Sequence, residues 1–184
     1  MHKAATTLDT LQALLALYPN HESKMAAINE RNAEQNNLLY YAADTPATLR
    51  FLLALYPDNN ARVKAIETNS RSLLFVAKTT LESLQIILAL YPDDEAKITA
   101  IIQAEYGCLL LNESRQSPLF LRGFVDTLST DEAKLKIINR CNKEGWNILH
   151  ELACMNQTES LLSLLASLSN NKNKVIAYPV TIAG

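Results

Sequence analysis

Three copies of one short phrase constrain this chain more than any other feature: LLALYP ends at Pro19 and again at Pro57, and ILALYP ends at Pro92. The copies stand 38 and 35 residues apart. Recurrence at a period of roughly 20–50 residues marks tandem arrays, in which each copy is one supersecondary unit that buries its apolar face against its neighbours.

Each phrase is followed by a polar, helix-starting stretch with a basic residue five places after the proline and an apolar pair beyond it. These are Lys24 with Met25 and Ile28, Arg62 with Val63 and Ile66, and Lys97 with Ile98 and Ile101. Taking the basic residue as anchor reveals two further copies, TDEAKLKII around Lys134 and NNKNKVIA around Lys174, at anchor spacings of 38, 35, 37 and 40. About five partial or complete units therefore fill the 184 residues.

Within a unit the apolar residues follow helical spacing. Leu49, Leu52, Leu53 and Tyr56 form one stripe, and Leu84, Ile87, Leu88 and Tyr91 repeat it, the i, i+3, i+4, i+7 pattern of a half-buried helix. Thr45-Pro46 and Ser117-Pro118 place a capping hydroxyl before a proline in the first turn. Thr79 with Glu82, and Asn156 with Glu159, offer the cap-x-x-acid spacing. No run of alternating β-branched residues and no Asn-Gly or Asp-Gly hairpin pair competes, so the expected class is all-α. Only the last ten residues, VIAYPVTIAG, read ambiguously.

Bulk properties narrow the function classes. With 48% hydrophobic residues there is ample material to bury between units. Net charge is −2, pI is about 5.9, and the basic residues are scattered. Phosphate binding needs a basic stripe, so no nucleic-acid partner is expected. Cys108, Cys141 and Cys154 make an odd count without paired spacing, which favours a reducing, cytoplasmic compartment over a disulfide framework. No signal peptide is visible, and no apolar stretch nears the roughly 18 residues that span a bilayer, so no membrane insertion is expected.

The segment Asn142-Lys143-Glu144-Gly145-Trp146-Asn147-Ile148-Leu149-His150-Glu151-Leu152-Ala153 resembles the ankyrin repeat, usually worded Asp-x-x-Gly-x-Thr-Pro-Leu-His-x-Ala-Ala. QNNLLYYAA from Gln35, SRSLLFVAK from Ser70 and YGCLLLNES from Tyr106 are weaker echoes. On this frame Leu39, Leu74, Leu111 and Leu149 occupy the family's leucine, at steps of 35, 37 and 38. The period exceeds the ordinary 33 residues, with the excess in DNNARVKAI and DDEAKITAI, which read as an added short helix. Glycine, at 4 residues, is largely replaced by Asn and Ser in the turns. Long, degenerate repeats of this kind look like those of bacterial effector proteins delivered into host cells. Lys3–Thr7 aligns with Tyr41–Thr45, so the chain is expected to open partway through a first helix. At the other end Val175, Ile176, Tyr178 and Val180 are apolar where a terminal unit turns polar: either the protein continues or these residues fold back as a cap.

Chemistry has little to stand on. His150 and Cys154 lie four apart on one helix, but a stable zinc site wants four ligands and no second pair supplies them. The resemblance implies instead that His150 is structural, bonding backbone and side chains of adjacent units. Cys141 with His150 lacks an orienting third group, and no phosphate-binding glycine loop exists. No catalytic residue, metal, cofactor or small-molecule substrate is expected. Tyr18, Tyr56 and Tyr91 recur at one helical position and read as seam packing, each hydroxyl reaching solvent.

The resemblance also implies that the residue after the histidine position faces the concave groove. Tyr41, Val76, Glu113 and Glu151 stand there, with Lys78 and Arg115 close by as a rim. Tyrosine in such a groove is typical of binding surfaces, whereas the plain alternative is a solvated helix face. The expectation is therefore one domain over 1–184, an α-solenoid of about four to five ankyrin-like repeats, a module of a longer chain, binding a protein partner without turnover. The alternative is a targeting or regulatory segment of a larger enzyme whose catalytic domain lies outside this chain.

Overall fold

The computed structural model describes residues 8–69, 72–77, 80–104, 118–142 and 145–168. Among the described residues there are twelve α-helices and no strand, so the protein is all-α. The helices are α1 Leu8–Ala16, α2 His21–Asn29, α3 Leu38–Ala42, α4 Pro46–Ala54, α5 Asn59–Glu67, α6 Leu73–Ala77, α7 Leu81–Leu88, α8 Asp94–Gln103, α9 Pro118–Val125, α10 Asp131–Ile138, α11 Ile148–Cys154 and α12 Thr158–Ala166. A short helix, a longer one and a third follow one another in α3–α5 and again in α6–α8. The third helices in DNNARVKAI and DDEAKITAI are full elements of nine and ten residues. The first helices, α3 and α6, are the short ones at five. The chain divides into two compact units, Met1–Tyr91 and Pro92–Gly184.

In the first unit α1 packs on α4, α4 on α7, and α3 on α6, each helix against its nearest equivalent. Both predicted stripes are inside: Leu49, Leu52, Leu53 and Tyr56 are buried, as are Leu84, Ile87 and Leu88, with Tyr91 half-buried. Leu39 and Leu74, 35 residues apart, are also core. The tyrosines fill seams, but their hydroxyls turn inward. Tyr56 donates to Asn29 Oδ1 at 2.7 Å, and Tyr91 bonds Glu67, the residue in register with Asn29. Burial raises the Tyr56 phenol to about 12 despite the bond to Asn29. Burial, helped by the Glu67 carboxylate, does the same for Tyr91. The solvent-facing hydroxyl expected from sequence thus gives way to a bond with the preceding group.

The second unit reuses the basic anchors as helix-end caps. Lys97 donates to Thr127 O just past α9, and Lys134 to Ser167 O at the end of α12, both at 2.8 Å. A cation at a helix C-terminus meets carbonyls with no intrahelical partner and the negative end of the macrodipole. Both ammoniums are largely enclosed and also meet a carboxylate, Asp94 at 3.6 Å and Asp126 at 2.9 Å. In the first unit Arg62 reaches back instead, to Leu53 O and Tyr56 O of its own group.

The starts of the third helices follow one rule. Asn20, Asp58, Asp93 and Thr130 each accept a bond from the backbone N–H three residues on, and each lies in the extended region. Before the second helices the sequence signals behave differently. Thr45 precedes Pro46 as expected, but its hydroxyl donates to Asp44 Oδ1 and caps nothing. Thr80 starts α7, its hydroxyl donating to Asp44 O, while Thr79 and Ser117 lie outside the described residues. Asn156 closes α11 rather than opening α12. At φ 55 it donates to Ala153 O, and Gln157 N–H donates to Leu152 O, the paired bonds of a left-handed C-terminal turn.

Neighbouring positions on α7 separate two kinds of burial. Leu84→Ala is expected to cost about 2–5 kcal/mol in urea unfolding, because the cavity is walled by packed helices. Ser83 is equally buried, and its hydroxyl has no hydrogen-bond partner. Ser83→Ala is therefore expected to be neutral or to stabilise by about 1 kcal/mol. A loss at Ser83 as large as that at Leu84 contradicts this account.

Candidate functional site

The groove residues inferred from sequence fall on three of the short first helices. Tyr41 lies on α3 and Val76 on α6, which pack together in the first unit; both are half-buried. Glu151, also half-buried, lies on α11 in the second unit. Glu113, Lys78 and Arg115 lie outside the described residues. The structure thus brings Tyr41 and Val76 onto one pair of helices and carries Glu151 on a separate unit.

One turn, used twice, leads into the helices of Tyr41 and Glu151. Asn32 N–H donates to Asn36 O, Gln35 N–H to Asn32 O, and Asn36 N–H to Asn32 Oδ1. Equivalent bonds join Asn142 N–H to Trp146 O, Gly145 N–H to Asn142 O, and Trp146 N–H to Asn142 Oδ1. The fourth residue is left-handed in both, Gln35 at φ 63 and Gly145 at φ 81. Glycine takes that conformation freely, whereas Gln35 holds it against the usual side-chain penalty. Each turn leads into a buried asparagine cap, Asn37 for α3 and Asn147 for α11. Asn37 also ties its turn to α5: its N–H donates to Asn69 Oδ1 at 2.8 Å and its Nδ2 to Ala65 O at 3.0 Å.

The two turns carry different side chains. In the first, Tyr40 and Tyr41 meet edge to face with ring centres 5.4 Å apart, and Asn32 Nδ2 donates to the Tyr41 hydroxyl. In the second, His150 Nδ1 accepts from Asn147 N–H and lies 2.7 Å from Asn147 Oδ1, while the Trp146 ring sits 6.4 Å away and is 41% exposed. Among the described residues His150 serves its own helix start, a narrower role than bonding adjacent units. Trp146 enters the sequence reading only as part of a motif. Being the single tryptophan, directly after a turn glycine, is the signal that marks it.

A concavity of about 550 Å³ lies between the starts of α8 and α10, walled by Asp93, Asp94, Glu95, Ile98, Glu132 and Lys136 among others. Most of its charges are engaged. Asp93 caps α8, Glu95 pairs with Lys136 at 2.8 Å, and Asp94 accepts from the N–H and hydroxyl groups of Ser129 and Thr130. The wall is a seam between helices. Burial alone would raise the Asp94 carboxyl, but these four groups outweigh it and bring it down to about 2.

Cys141 and Cys154 are free and exposed, and no group of three or more His, Cys, Asp or Glu side chains is placed to hold a metal ion among the described residues. Among the same residues no helix is long and apolar enough to cross a membrane. No family model matches the chain, and no curated protein or solved structure matches it either.

Asp94 gives the seam a pH signature. Its folded value lies below the ordinary carboxylate value of about 3.9, so its contribution is present above that pH and is lost as pH falls toward about 2. Asp94→Asn is expected to be less stable than wild type at pH 7, with the gap in urea midpoint closing between about pH 4 and pH 2. A gap that stays constant across that range removes the carboxylate from the seam.

Proposed function

We propose that this chain is a non-catalytic binding module: an α-solenoid of ankyrin-like repeats that engages a protein partner through the concave face of its short helices and the turns between repeats. Each described group buries its longer helices against equivalents, and the short helices α3 and α6 meet with Tyr41 and Val76 only half covered. That juxtaposition carries the reading. A tyrosine and a valine at the same register on adjoining helices form an aromatic and aliphatic strip of the kind that anchors interfaces. The turn that presents Tyr41 is fixed by bonds from Asn32 and Asn37, so little ordering entropy remains to be lost on binding. The chain is further proposed to work in a reducing cytoplasm, as effectors delivered into host cells do.

The test is affinity capture with wild type, Tyr41→Ala and Val76→Arg, each checked for helicity by circular dichroism. A genuine partner is expected to be retained by wild type and reduced at least about tenfold by Val76→Arg, since a buried, unpaired charge costs more than the methyl contacts it replaces. Equal recovery of every captured protein by all three rules out this face.

A further inference from the structure

We propose that the edge formed by Trp146, His150 and Glu151 receives a cationic side chain, lysine or arginine, from the protein partner; this rests on the binding-module reading and names the chemistry it recognises. The chain supplies its own control. The turns closed by Asn32 with Asn36 and by Asn142 with Trp146 share these backbone bonds and a left-handed residue, so the local backbone asks the same of Asn36 and Trp146. At the first, the position is Asn36, 3% exposed and turned into the protein. At the second it is Trp146, with 41% of a large ring in solvent. Asparagine meets the structural requirement, and the tryptophan goes beyond it.

The residues around the ring decide what it would take. Trp146 immediately precedes the cap Asn147, and Glu151 is the fourth residue after it, the two positions whose side chains pack together at a helix start. In the first turn the same positions hold Asn36 and Tyr41, and Tyr41 is engaged with Asn32 and Tyr40. In the second, Glu151 forms no ion pair among the described residues, and the His150 ring flanks the indole at a 39° tilt. An indole face at a helix start whose fourth position carries a carboxylate attracts a cation twice, through the ring quadrupole and through the charge. An anionic or purely apolar partner group would meet the carboxylate at a cost.

Trp146 is the only tryptophan, so its fluorescence reports on the site directly. The probes are a twelve-residue peptide of four Gly-Ser-Lys repeats, its arginine counterpart, and the same peptide with every lysine acetylated. The lysine and arginine peptides are expected to shift the emission saturably, with the acetylated peptide weaker by about fivefold or more. By calorimetry, Glu151→Gln is expected to weaken the lysine peptide by a similar factor, and Trp146→Asn, which installs the residue the first turn already tolerates, to abolish the difference between lysine and acetyl-lysine. Equal binding of charged and acetylated peptides overturns the inference, as does undiminished binding by Trp146→Asn. A partner captured through Val76 but indifferent to Trp146→Asn leaves the binding-module reading standing and removes this one alone.

Discussion

No described helix of this protein is long enough to stand by itself. The longest has ten residues and two have five, whereas an isolated helix in water needs about 12–15 even with favourable residues. Helicity here is therefore a product of packing. Leu38, Leu39 and Ala42 of α3 are buried in a segment of only five residues, and Leu73, Leu74 and Ala77 repeat the arrangement in α6. Such segments hold their shape because neighbours on several sides supply the burial that length cannot.

Short helices also concentrate ends. Every end leaves backbone groups without an intrahelical partner, and a chain of many short helices has many to satisfy. The described structure answers with repeated local devices: Asn, Asp or Thr before each third helix, buried asparagines before α3 and α11, and lysines on the carbonyls after α9 and α12. This explains the recurrence of the polar residues as fully as the leucine stripes explain the apolar ones. It also explains why Lys and Arg are interchangeable at the anchor only in part. Arg62 spreads its guanidinium over Leu53 O, Tyr56 O and Asn59, whereas the lysines concentrate one ammonium on a single carbonyl and a carboxylate.

The all-helical class, the stripes and the buried leucines were readable because 3.6-residue periodicity and a repeated register report directly on which side faces inward. Helix boundaries were less so. Thr45 and Asn156 carry good capping chemistry, yet Thr45 turns to Asp44 and Asn156 adopts a left-handed turn, because the next residues' geometry decides which backbone group is within reach. The tyrosine hydroxyls depart from the sequence expectation for a related reason. Their partners, Asn29 and Glu67, belong to the preceding group, and a contact 24 or more positions away leaves no local signature. In the candidate site, motif register locates Tyr41, Val76 and Glu151 on their helices, whereas it says nothing of the exposure of Trp146, since the same register in the first turn hides an asparagine.

The lysine caps have a direction. Lys97 and Lys134 each reach a carbonyl that lies later in the chain. During synthesis the donor therefore leaves the ribosome before the acceptor, and the later helix whose end it caps finds that cap already in place. Assembly from the amino end is thereby favoured at each of these steps, and a ribosome-bound fragment ending after Lys134 would hold a waiting ammonium rather than a stranded helix end.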